Sequence, residues 1–224
     1  MIKLVAFDLD DTLYNEKDFV FGAFREVAEY LSNKYNISSQ SLYEDMLAIL
    51  QSEGRGKIFN IVCENYNINE DINALVQVYR NAKPKLKLYE DGLEVINFLK
   101  DKYKLGLITD GLASVQWNKI ELLNLESYFD NIIVTDDLGK EYWKPHILPF
   151  KNMAEKFNLL PSECIYIGDN PNKDFYGARK LGFRTIRIIR DIGDYINLRH
   201  SKEYEADFEV SNLNEIVSII EESL

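Results

Sequence analysis

Three aspartates crowd the end of an apolar run in the segment VAFDLDDTL, residues 5–13. Carboxylates repel one another and resist burial, so the cluster is either a solvated turn or the setting for a positive charge. Asp8 and Asp10 stand two residues apart, and in extended backbone that spacing points both side chains the same way. Two carboxylates on one side attract a hard cation such as Mg²⁺. An isolated pair of this kind is usually a solvated turn, but a position just after a buried strand favours the cation. Asp11 points away from its two neighbours and reads as an ordinary turn residue. Thr12 reads as a loop-fixing hydroxyl.

Three later segments carry complementary chemistry. In GLITDG, Thr109 closes an apolar run, and Gly111 leaves the backbone open before a helix. A hydroxyl and free N–H groups at such a place suit a phosphate, with Asp110 contributing its N–H rather than its side chain. In YWKPHILPF, Pro145 biases Lys144 away from helix, and a helix follows. A lone lysine is usually solvated, but an acidic phosphate site needs a cation, and Lys140 is a rival for that role. In YIGDNPNKD, Asp169 ends another apolar run. Asp174 opens the next helix, where a carboxylate also favours the dipole.

The elements that must position these residues follow from periodicity. Ile2–Phe7 reads as a buried strand. Residues 18–36, 41–50, 57–66 and 71–82 read as helices, with the break SEGRGK between the middle pair. Pro84 ends this helical block. Beyond it strands and helices alternate. Strands end at Thr109, at Asp136 with Asp137, and at Asp169, and FRTIRII is a last strand. Helices cover 91–102, 112–124, 146–158, 174–181 and 212–222. Alternation of this kind predicts an α/β class fold, a doubly wound parallel sheet covered on both faces. The expected organisation is an α/β core of residues 1–14 and 86–224 with an all-helical insert at 15–85. In open parallel sheets ligands bind beyond the carboxyl ends of the strands, which places the acids above at a site.

The bulk properties restrict partners. The formal net charge of -11 and pI near 4.8 disfavour nucleic acid and anionic membranes. Cys63 and Cys164 lie too far apart in sequence for a metal-knuckle spacing, which fits a reducing, cytoplasmic setting. The N-terminal apolar stretch is too short for a signal peptide, and no apolar run approaches a membrane span. A small anionic molecule remains a suitable ligand, for a monomer or a homodimer.

Taken in chain order, Asp8-x-Asp10-x-Thr12, the strand-end Thr109, the helix-opening Lys144 and Gly168-Asp169-(x)₄-Asp174 resemble the haloacid dehalogenase superfamily, with the insert resembling its helical-cap subgroup. That resemblance implies a Rossmann-like core and a Mg²⁺-dependent phosphatase acting on a small phosphorylated metabolite. Asp8 would be the nucleophile that forms an aspartyl-phosphate, and Asp10 the general acid and base. Asp8, the backbone carbonyl of Asp10, Asp169 and Asp174 would hold the metal, with Asp174 in direct contact or in support. Thr109, the N–H groups of Asp110 and Gly111, and Lys144 would bind the phosphoryl oxygens. Dehalogenating members lack the second aspartate because a halide leaves without a proton, so Asp10 favours phosphoryl chemistry. Sugar phosphomutases share both aspartates, and phospho-accepting receivers share the acidic pocket; both stand as alternatives. In the insert, Arg55, set between two glycines, is the first candidate for substrate choice, with a solvated turn equally expected. Tyr14 and Phe21 could pack on an apolar leaving group, but core of the helical insert is the better expectation.

Overall fold

Leu4–Phe7 (LVAF) is wholly buried and forms strand β1 of the computed structural model, which describes residues 1–222. After it the chain divides into two compact units. One comprises Met1–Glu16 and Lys87–Leu224, and the other Lys17–Leu86.

The second unit is helical, built from α1 (Glu16–Tyr35), α2 (Ser39–Glu53), α3 (Ile58–Asn65) and α4 (Ile72–Arg80). Apolar residues spaced three and four apart on α1 (Val20, Phe24, Val27, Leu31) meet Leu42, Met46, Val62 and Leu75 in one core. Caps set where these helices start. The Ser38 hydroxyl accepts the Ser41 N–H, and the Asp71 carboxylate accepts the Asn73 N–H. Arg55 is exposed in the turn joining α2 to α3, next to Gly54 with φ 75°.

The first unit is a six-stranded parallel sheet in the order β3-β2-β1-β4-β5-β6. Its other strands are β2 (Lys104–Thr109), β3 (Asn131–Val134), β4 (Cys164–Gly168), β5 (Arg184–Ile188) and β6 (Phe208–Val210). Helices α5 (Glu90–Leu99), α6 (Ala113–Leu122), α7 (Leu148–Lys156), α8 (Tyr176–Leu181) and α9 (Ile216–Glu221) connect and cover them. The central strands are nearly continuous apolar runs because both faces are buried. Phe7 stands level with Leu107 and with Ile167, so β1, β2 and β4 end side by side. The chain runs outward from β1 to β3, then returns to the other side of β1 for β4. Strand order reverses there, and that is where such sheets open a crevice.

Packing below the sheet bears on the crevice. Phe150 of α7 is fully buried, with its ring 5.0 Å from that of Tyr166 on β4 in an edge-on contact. Loss of such a ring costs about 3–5 kcal/mol, and here it would also loosen Tyr166, whose hydroxyl reaches the strand ends.

Two features depart from the sequence expectation. Strand β6 was not foreseen: three residues with Phe208 and Glu209 exposed make too weak an apolar run. The helix expected from residue 174 starts at Tyr176, because Asp174 turns back to accept the Asn170 N–H at 2.9 Å instead of capping α8. Among the described residues, no helix is long and apolar enough to cross a membrane.

Candidate active site

Asp8 follows directly on β1, with its N–H bonded to the Ile167 carbonyl of β4 at 2.8 Å. Backbone pairing therefore holds the carboxylate over the reversal point, where it is 1% exposed. One oxygen, Oδ1, accepts Lys144 Nζ at 2.6 Å. The other, Oδ2, is buried without a hydrogen-bond partner among the described residues. Burial pushes the Asp8 carboxyl up to about 7, against the Lys144 charge and with help from Asp174. Burial followed by the charges of Asp174 and Asp8 also pushes Asp169 well above the usual carboxylate value.

Asp8, Asp169 and Asp174 can each offer one carboxylate oxygen, with all three atoms within 4.8 Å of one another. Oxygens around one octahedral Mg²⁺ stand about 3.0–4.2 Å apart, so the three are near enough to share an ion. The donors are all oxygen, one is buried and unpaired, and two of the carboxyls are disfavoured as anions by their surroundings. These residues therefore fit a hard divalent cation. Gly168 admits this arrangement, since a Cβ there would collide with the Asp174 carboxylate.

Lys144 is 5% exposed, whereas Lys140 is exposed in a short 3₁₀ turn, so the site takes the lysine before Pro145. Besides Asp8, its ammonium reaches Asp174 Oδ1 at 2.7 Å and the Tyr166 hydroxyl at 2.8 Å. Although burial opposes its charge, Asp174 and Asp8 hold Lys144 well above the usual lysine value.

Thr109 ends β2 and is fully buried; its hydroxyl accepts a short hydrogen bond from the Gln116 amide. Asp110 turns its carboxylate aside: Oδ1 accepts the Thr135 hydroxyl at 2.6 Å and the Lys144 N–H at 3.1 Å. Gly111 has φ 135°, a region glycine alone enters freely, and the Gln116 side chain fills the space a Cβ would need. Asp136 accepts the Ala113 N–H at 2.9 Å, which fixes the start of α6.

Asp10 meets partners that the sequence did not announce. Its carboxylate accepts Lys119 Nζ at 2.7 Å, Gln116 Nε2 at 3.0 Å and the Tyr14 hydroxyl at 2.6 Å. Burial pushes this carboxyl up, but the Lys119 charge and the three hydrogen bonds outweigh it and hold Asp10 below its ordinary value. Lys119 is 3% exposed. Gln116, Lys119 and Ile120 are the buried residues of α6. Polar side chains three apart on the inward face of a helix were the available signal.

Other expectations need correction. Tyr14 lies in the α/β unit, its hydroxyl bound to Asp10, and is not core of the helical unit. Thr12 does not fix the loop, since its hydroxyl is buried without a hydrogen-bond partner among the described residues. Asp11 performs that task, with φ 53° and Oδ1 accepting the Glu16 N–H at 2.9 Å. The structure thus gathers Asp8, Asp10, Thr109, Asp110, Gly111, Lys144, Asp169 and Asp174 at the strand ends of one unit. Arg55 belongs to the other unit.

A model of the haloacid dehalogenase-like hydrolases matches residues 5–188. Glyceraldehyde 3-phosphate phosphatase of Methanocaldococcus jannaschii is 34% identical over 98% of this chain and 97% of its own. The enzyme of the same name from Methanopyrus kandleri is 28% identical over 99% and 98%. A solved structure of a HAD phosphatase from Thermococcus onnurineus superposes with a TM-score of 0.64, at 28% identity, covering 98% of both chains. With the family model spanning most of the sequence, the chain belongs to the haloacid dehalogenase-like hydrolases.

Proposed function

We propose that this hydrolase is a Mg²⁺-dependent phosphatase of a small phosphomonoester, working through a phosphorylated Asp8. The observation that carries the reading is the Asp8 carboxylate: one oxygen is held by Lys144, and the other is buried and unpaired beside Asp169 and Asp174. The named relatives are phosphatases, which supports the reaction class, and glyceraldehyde 3-phosphate is the first substrate to try.

In this reading Asp8 attacks phosphorus and the alcohol leaves. Asp10 gives the departing oxygen its proton. A water then attacks the aspartyl-phosphate, Asp10 takes its proton, and inorganic phosphate leaves Asp8 free. Lys119 holds Asp10 ionised, the form required of the base. Its acid role follows when a phosphate dianion enters beside it, because a nearby negative charge raises a carboxyl's affinity for a proton. Lys144 balances the charge of Asp8 and Asp174 throughout. Mg²⁺, held by Asp8, Asp169 and the Asp10 carbonyl, would neutralise phosphoryl charge. Asp174 supports that set, as its two oxygens already serve Lys144 and Asn170. The helical unit selects the leaving group, with Arg55 its first candidate.

The test is phosphate release from a panel of phosphorylated metabolites, including glyceraldehyde 3-phosphate, with Mg²⁺ and with EDTA. Metal-dependent release from one class of compound is the expected result. Equal release in EDTA would reject the metal, and no release from any compound would reject the phosphatase.

A further inference from the structure

Lys144 has three N–H donors, and Asp8, Asp174 and Tyr166 accept all of them at 2.6, 2.7 and 2.8 Å. To touch a phosphoryl oxygen it would have to release a carboxylate, so it serves the acids more than the substrate. Lys173, in the turn before Asp174, differs. Its side chain is 25% exposed, and its ammonium lies 3.9 Å from Asp110 Oδ2. That is an ion pair too long for a hydrogen bond, and none other is seen for this ammonium among the described residues. Lys173 directly precedes Asp174, whose carboxylate stands within 4.8 Å of those of Asp8 and Asp169.

Asp110 belongs to the same arrangement. A third acid beside a phosphate site repels the ligand unless a cation balances it. With Oδ1 fixed by Thr135 and the Lys144 N–H, Asp110 presents Oδ2 to Lys173. The pair is neutral overall, yet it leaves the ammonium donors open.

We propose that Lys173 is a second phosphate-binding cation, oriented by Asp110 and bonding directly to the oxygens of the transferring phosphoryl group. The assignment rests on the phosphatase reading above. A charge-assisted hydrogen bond to an anion is the strong kind, and its donor here is not committed elsewhere.

The probe is inorganic phosphate as a competitive inhibitor in the presence of Mg²⁺. Lys173→Met is expected to weaken inhibition by about ten- to a hundredfold, and Lys173→Arg to restore most of it. Asp110→Asn, which keeps the acceptor for Thr135, is expected to weaken it by a smaller factor. Thermal melting reports whether each variant folds. Should Lys173→Met fail to fold, Lys173→Gln and Asp110→Asn still decide, since both must weaken phosphate inhibition if Lys173 binds the anion. Unchanged inhibition in a folded Lys173→Met or Lys173→Gln would make Lys173 a counter-charge only and overturn the assignment. A wild-type protein that neither hydrolyses phosphomonoesters nor binds phosphate would instead remove the phosphatase reading itself.

Discussion

Among the described residues, every buried polar or charged side chain lies in the α/β unit, from Asp8 and Thr109 to Lys144, Asp174 and Arg187. The helical unit buries Phe24, Leu31, Met46, Val62 and their neighbours, and no charge. Burying a charge costs several kcal/mol unless it is paired, so a chain keeps such groups where they perform a task. The contrast teaches where chemistry resides. One unit holds charges out of water in fixed mutual positions. The other is stabilised as an apolar bundle.

Changes at Asp8, the proposed nucleophile, should separate the units most sharply. Asp8→Asn is expected to lower kcat by at least about 10⁴-fold while circular dichroism stays unchanged. Near-normal turnover would remove Asp8 from the reaction. Next in size is Lys119→Met, which strips Asp10 of its ion pair. Turnover at neutral pH should fall by up to about 10²-fold and recover as pH rises, because the water that attacks the aspartyl-phosphate needs an ionised Asp10 whichever alcohol has left. A loss of the same size at every pH would mean that Lys119 supports the fold and not Asp10.

A pH effect sharpens the comparison further. The folded Asp8 carboxyl titrates at about 7 against an ordinary 3.8. Folded protein therefore keeps a proton there that unfolded chain has lost, and this contribution to stability disappears as pH rises through that window. In EDTA, Asp8→Asn should gain stability relative to wild type between those limits, read as the difference in Tm. A constant difference across pH would contradict an Asp8 carboxyl raised by burial. Mg²⁺ should stabilise wild type more at pH 7 than at pH 5.

The smallest effects on chemistry should come from the helical unit. Leu31→Ala opens its core and should cost about 2–5 kcal/mol, with kcat for p-nitrophenyl phosphate at saturation nearly unchanged at low temperature. Arg55→Ala should alter KM for the preferred substrate by a few-fold and leave kcat alone. A large kcat loss in either variant would place part of the chemistry outside the α/β unit.

Much of the site was legible because its residues mark local events. Asp8, Thr109 and Asp169 each terminate an apolar strand, and a parallel sheet with that element order has its crevice at those ends. The alternation of strand and helix, the helical block before Pro84, and the lysine of Lys144-Pro145 are likewise properties of short segments. Sequence patterning determines such features because periodicity, turn chemistry and chain order act within a few residues.

Partnerships across the sheet were decided only by tertiary structure. Lys119 meets Asp10 across 109 positions, Lys144 meets Asp8 across 136, and Tyr14 turns its hydroxyl onto Asp10 rather than into an apolar core. A helix face carries no label for the loop it will cover. Nor does a lysine in a turn show whether its donors will be taken, as those of Lys144 are, or left open, as those of Lys173 are. Those outcomes depend on which strand ends β1, β2 and β4 bring level, and on how deeply each charge is then removed from water.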